Sequence, residues 1–216
     1  MPPAPPPPAW SSSPWRPCDD RRRPQPRAHP GFAAPVPAAQ SCFRALLEAM
    51  SRPGLIQTLT ALPEAPAPLA PAAAAAILTL ADADTPVWTD AGPAAEAWLR
   101  FHAGCPLVAD PAAASFLLAT ASPPDLALPD AGTEEEPHRS ATLVLQVAAL
   151  EAGAGWTLSG PGIETTHRLH AAGLPAGFAA AWAANAARFP RGVDLVLCAG
   201  DSLAALPRTT RLEETR

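Results

Sequence analysis

The densest set of groups able to hold an anion is Leu206-Pro207-Arg208-Thr209-Thr210-Arg211, near the C-terminus. Guanidinium forks match the oxygens of a phosphate or phosphonate, and threonine hydroxyls add donors. The same Arg208 suits an ion pair with a carboxylate such as Asp194, fixing the C-terminal strand, or a protein interface, where arginine is enriched. Arg191 and Asp194, within Phe189-Pro190-Arg191-Gly192-Val193-Asp194, and His102 complete the candidate anion-binding or interface residues. Ser159-Gly160-Pro161-Gly162 could turn backbone N–H groups toward an oxyanion. Pro161 removes one donor and no full phosphate-loop fingerprint is present, so the run is expected to be a tight turn.

Metal and covalent chemistry find less support. His102 with Cys105, and His167 with His170, have spacings that metals use, but neither pair has a third and fourth ligand nearby, and no metal is expected. Asp82, Asp84 and Thr85 fit a helix-stop turn better than a cation site. No Ser–His–Asp set, paired-carboxylate motif or reactive-cysteine context stands out, so the sequence points to no catalytic residue. All 15 basic residues are arginine. Without lysine, Schiff-base catalysis and a lysine-bound pyridoxal phosphate are excluded, and no cofactor is expected. The cysteines at 18, 42, 105 and 198 are too far apart for a CxxC site, and are expected to be reduced and mostly buried.

Residues 1–30 hold five Arg and two Asp, a +3 segment in a chain of net charge −5, so the remainder carries −8. An acidic body argues against nucleic acid as a partner. No run of 18 apolar residues occurs, no N-terminal segment resembles a signal peptide, and a cytoplasmic location off the membrane is expected. Charged residues make up 16% of the chain, where about a quarter is usual. That leaves apolar surface for partners.

Several elements are needed to position these groups. Eleven prolines in residues 1–30 predict an extended, disordered tail, with one α/β domain over residues 31–216. Phe43, Leu46, Leu47 and Met50 form an apolar stripe that predicts a helix over residues 38–51. Further helices are expected over 71–80, 94–103 and 175–189. Strands are expected over 55–61, 85–88, 106–109, 115–119, 141–150 and 193–198. Residues 155–159 are expected to pair with 141–150 across a hairpin at 151–153, and residues 121–139 to make a surface excursion. Helices interleaved with buried strands mean an α/β fold with a mixed sheet flanked by helices.

Seven motif blocks carry a family resemblance. They are Phe43-Arg44-x-Leu46-Leu47-x-Ala49-Met50-Ser51-x-Pro53-Gly54, Leu78-Thr79-Leu80-Ala81-Asp82-x-Asp84-Thr85-Pro86-Val87-Trp88, and Arg100-Phe101-His102. Ala141-Thr142-Leu143-Val144-Leu145-Gln146-Val147 and Leu158-Ser159-Gly160-Pro161-Gly162-Ile163 follow. Phe189-Pro190-Arg191-Gly192-Val193-Asp194-Leu195 and Leu206-Pro207-Arg208-Thr209-Thr210 finish the series. Taken in order over about residues 32–212, they resemble the PhnH family, a component of the bacterial carbon–phosphorus lyase core complex.

That resemblance implies a mixed α/β fold similar to pyridoxal-phosphate-dependent transferases, without the cofactor. It implies a homodimer when alone and association with subunits G, I and J in the core complex. The complex serves a step of organophosphonate catabolism in which a phosphonate displaces adenine from ATP, giving a ribose 1-phosphonate 5-triphosphate. Radical C–P cleavage belongs to the iron–sulfur component, PhnJ. This chain would support the earlier step, with at most indirect contact with ATP or phosphonate. Two alternatives stay open: a small-anion or nucleotide-binding module using Arg208, Thr209 and Thr210, and a cofactor-free transferase active alone.

Overall fold

The computed structural model describes residues 29–213, together with Met1 and Pro3. The tail expected over residues 1–30 lies almost wholly outside them. The carbonyl of His29 accepts hydrogen bonds from Trp98 Nε1 and His102 Nε2, both at 2.9 Å.

Helix α1 (Pro35–Ser51) opens with proline in its first turn, where the missing N–H costs nothing. Its buried face differs from the expected stripe. Ala38, Cys42, Leu46 and Ala49 face inward, with Met50 half-buried, whereas Phe43 and Leu47 are exposed. Helix α2 (Pro71–Leu80) supplies the reason. Its six consecutive buried residues, Ala72 to Ile77, are mostly methyl-sized, so α1 packs closely on α2 through its own small side chains. Bulky Phe43 and Leu47 are left on the flank.

The main sheet has six strands. β1 (Gln57–Thr58), β2 (Val87–Thr89), β3 (Phe116–Ala119), β4 (Thr142–Gln146), β7 (Asp194–Ala199) and β8 (Ser202–Leu206) lie in the order β1-β8-β7-β4-β3-β2. Strands β2, β3, β4 and β7 are parallel. β8 and β1 are antiparallel additions, which makes the sheet mixed. Helices α1, α2 and α3 (Pro93–His102) cover one face. The other face meets α4 (Phe178–Ala186) and a second, antiparallel sheet of β5 (Ala149–Ser159), β6 (His167–Ala172) and β9 (Arg211–Glu213), ordered β6-β5-β9. An α/β protein with a mixed sheet flanked by helices is what the chain forms.

Several expected elements are redrawn. The segment 141–150 splits into β4 and the start of β5, because Val147 and Ala148 carry the chain to the second sheet. No hairpin forms at 151–153. Those residues run on within β5, where Ala152 and Trp156 both face Leu169 and residues 153–155 bulge out. Gly153 (φ 79°) and Gly155 (φ 72°) permit that bulge. The expected strand at 106–109 shrinks to a single parallel bridge between Leu107 and Val87. Residues 55–61 form only the two-residue β1 within a longer extended stretch, and the helix expected over 175–189 is confined to 178–186. Residues 121–139 contain one 3-10 turn, Pro137–Arg139, yet bury Leu126 and Ala131.

Candidate functional site

Arg208 leaves the end of β8 and becomes the centre of a joint. Its Nε donates to Asp194 Oδ1 at 3.1 Å and its Nη2 to Asp194 Oδ2 at 2.5 Å, a bidentate fork. Nη2 also donates to Ser140 Oγ at 2.6 Å, and Nη1 donates to the carbonyls of Pro137 at 2.8 Å and Pro190 at 3.4 Å. All five guanidinium N–H groups have acceptors inside the protein. The backbone N–H of residue 208 donates to Asp194 Oδ1 as well, at 2.7 Å. With side-chain exposures of 13% and 16%, this pair is largely withdrawn from water, so its geometry carries weight that a surface pair would not.

The neighbouring motifs meet at the same place. Trp182 of α4 donates its indole N–H to the Thr210 carbonyl at 2.8 Å. Asn185 holds both polar groups of Val193, accepting from its N–H at 2.8 Å and donating to its carbonyl at 2.9 Å. The turn Ser159–Gly162 forms, closed by Ile163 N–H on the Gly160 carbonyl at 3.2 Å. It is wedged between two other motifs: a Cβ on Gly160 would meet the Thr209 carbonyl, and one on Gly162 would strike the Ser51 carbonyl. His167 adds a contact from its Nδ1 to the Pro53 carbonyl, at 2.7 Å.

Of the expected site residues, the structure therefore brings together Arg208, Asp194, Arg191, Thr209 and Thr210. Arg191 is exposed, Thr209 is half-buried, and Thr210 is fully buried with its hydroxyl unpartnered among the described residues. His102 lies apart, beside Trp98 and Phe101 with ring centroids 5.0 and 4.9 Å away. Asp82 accepts from Asp84 N–H at 3.0 Å and Thr85 Oγ1 at 2.6 Å, the expected helix-stop turn. The Thr85 and Asp84 hydrogen bonds hold its carboxyl below the usual range. Among the described residues, no three His, Cys, Asp or Glu side chains are placed to share a metal ion.

Open α/β sheets commonly bind ligands at the carboxyl ends of their parallel strands. Here the polar side chains at that edge are turned to internal use. Asp90 accepts from Thr120 N–H, Thr120 Oγ1 and Ala121 N–H at 2.7, 2.8 and 3.3 Å. Gln146 accepts from Ala70 N–H at 2.6 Å and donates to the Pro68 carbonyl at 3.0 Å. Sequence reasoning missed Asp90, Gln146 and Asn185, since each gains its role from a partner at least eight residues away. Only Thr89-Asp90-Ala91-Gly92-Pro93, a turn signal before a helix, offered a local cue.

Fold and joint define a mixed α/β protein whose motif residues interlock its two sheets, rather than line an open charged cleft. The chain belongs to the family of bacterial phosphonate metabolism proteins (PhnH), which it matches over residues 30–213. It is 44% identical over 187 residues to the "Alpha-D-ribose 1-methylphosphonate 5-triphosphate synthase subunit PhnH" of Rhizobium meliloti (strain 1021), covering 84% of this chain and 94% of that protein. It is 33% identical over 181 residues to the "Putative C-P lyase subunit protein HtxG" of Stutzerimonas stutzeri, covering 82% and 87%.

Proposed function

We propose that this chain is the PhnH component of a carbon–phosphorus lyase core complex in organophosphonate catabolism, supporting formation of a ribose 1-phosphonate 5-triphosphate from ATP and a phosphonate. The observation that carries this is the 44% identity across 94% of a synthase subunit. The joint agrees with a supporting role, because Arg208, the residue best suited to an anion, spends its donors internally. Subunits G, I and J are the partners in this reading, and the protein is a cytoplasmic homodimer when alone. No helix among the described residues is long and apolar enough to cross a membrane. Val36, Phe43 and Leu47 remain exposed on α1 at spacings of seven and four, with Phe101 exposed on α3. Such an apolar face suits burial against another chain.

The reading also divides the chain into a tail over residues 1–30 and one domain over residues 31–216. It likens that domain to the fold of pyridoxal-phosphate-dependent transferases, without their cofactor. Parallel β2, β3, β4 and β7 with helices packed on them support the likeness. Co-expression with subunits G, I and J tests the proposal. The chain should copurify stoichiometrically through size exclusion, and ATP–phosphonate exchange should require the complex. A chain that never copurifies, or that catalyses the exchange alone, would overturn it.

A further inference from the structure

The two sheets end in β1 and β2 on one side and in β6 and β9 on the other. Three of these edges are short or covered. β1 has two residues, Leu107 bridges the outer side of β2, and the three-residue β9 packs beside α4. β6 differs. It runs for six residues without proline, and the bulge in its pairing lies on β5. In an antiparallel pair, successive residues direct their N–H and C=O alternately toward the neighbour and away from it. Every second residue of β6 therefore turns both groups outward, and among the described residues no backbone group of another segment meets them. Such a row is a template for a further strand. The strand is also held in place beforehand: Leu169 and Ala171 are buried, and His167 Nδ1 contacts the Pro53 carbonyl at 2.7 Å. Little ordering cost opposes an added strand on this side.

The side chains on the edge select the occupant. Arg168 and His170 stand exposed on the outer face of the sheet. Opposite them on β5 are Thr157 and Glu151, so His170 has a carboxylate across the strand and Arg168 has none. Among the described residues Arg168 makes no ion pair, although residues 31–216 carry a net charge of −8. The two cations also bar a second copy of the chain. A two-fold pairing of β6 with itself centred on Arg168, Leu169 or His170 sets arginine against arginine, arginine against histidine, or histidine against histidine. Like charges directly opposite one another destabilise a strand pair, whereas opposite charges stabilise it.

We propose that the free edge of β6 takes an extended, acidic segment of another protein as an added strand, with the backbones hydrogen-bonded and a carboxylate of the partner set opposite Arg168. Backbone bonding supplies the affinity in this mode, and the alternate side chains supply the specificity. The inference concerns an edge that the isolated chain presents, so it stands or falls apart from the subunit proposal.

The test is fluorescence-anisotropy titration of labelled synthetic peptides with the isolated, full-length protein. The probe alternates glutamate and valine over about eight residues, the length of a strand. It should bind saturably, and amide hydrogen exchange should slow across residues 167–172. A peptide alternating lysine and valine should not bind. Nor should the glutamate peptide once fully N-methylated, because it keeps its charge but has no backbone donor. Arg168→Glu changes an exposed side chain and should weaken binding about two- to thirty-fold, since an attraction becomes a repulsion. The same variant should gain binding to the lysine peptide, and Arg168→Ala should fall between it and the wild type. Absence of saturable binding at millimolar glutamate peptide overturns the proposal. So does equal binding by the N-methylated peptide, which would show charge attraction without strand addition, or slowed exchange elsewhere than in β6. If no peptide binds and Arg168→Glu changes the oligomeric state, the edge is where copies of this chain meet, and the acidic-strand assignment is wrong.

Discussion

Replacing Arg208 by alanine should cost the protein far more stability than an ordinary surface change. The substitution removes every guanidinium bond described above and strands the carboxylate of Asp194, which is only 16% exposed. Breaking one side of a buried pair generally costs about 3–5 kcal/mol. Asp194 keeps the backbone N–H of residue 208 at 2.7 Å, which favours the lower end, about 3 kcal/mol. For a domain of this size each kcal/mol lowers the melting temperature by about 2–4 °C, so the expected drop is about 6–12 °C. Circular dichroism melts of the isolated protein measure it directly. Arg208→Lys retains a charge but not the fork, and should fall about midway. Because Nη1 and Nη2 also tie down Pro137 and Ser140, protease cleavage within residues 121–139 should accelerate in the alanine variant. A drop of less than about 2 °C with unchanged cleavage would refute the joint as a stabilising element. Arg208 would then be sought instead at an interface.

Three further outcomes follow from other parts of the molecule. Gly162→Ala should destabilise by more than about 2 kcal/mol, because φ of 82° is joined by a clash with the Ser51 carbonyl, whereas Gly153→Ala, strained but open, should cost about 1–2 kcal/mol in urea melts. Burial pushes the thiols of Cys42, Cys105 and Cys198 up. Below the ordinary thiol value of about 8.5 their contribution is fully present; above it the unfolded chain ionises first, so stability should fall as pH rises from about 9 to 10. Alkylation mapped by mass spectrometry should then find these three unreactive in the native protein and reactive in urea, and rapid native labelling would contradict their burial. A chain beginning at His29 should melt like the full-length protein, whereas one beginning at Gly31 loses the carbonyl that Trp98 and His102 engage. That second truncation should melt about 2–6 °C lower, at roughly 1–1.5 kcal/mol for the missing contacts.

Sequence by itself determined the elements whose signals are local. Helix α2 begins and ends at the expected residues because Pro71 opens it and Asp82-Ala83-Asp84 stops it. The buried parallel strands were legible from short apolar runs bounded by turns, and the motif series alone resembles the family. Lysine chemistry was excluded by composition alone. β8 was also within reach, since Gly200-Asp201 between two apolar runs is a hairpin signal.

Only the tertiary structure decided which face of α1 is buried. Periodicity marks a stripe, but the methyl-sized surface of α2 selects the small side chains and leaves Phe43 and Leu47 outside. It also decided what Arg208 does. A guanidinium suits a ligand oxygen and a carboxylate equally well, and only folding brings Asp194, Pro137, Ser140 and Pro190 within its reach. The stacking of Trp156 on Phe178 and of Phe178 on Trp182 depends in the same way on contacts absent from local sequence: Trp156 lies on β5 while Phe178 and Trp182 lie on α4. Local pattern fixes what each segment can form. Which surfaces meet depends on packing between segments far apart in the chain, and no short window of sequence encodes it.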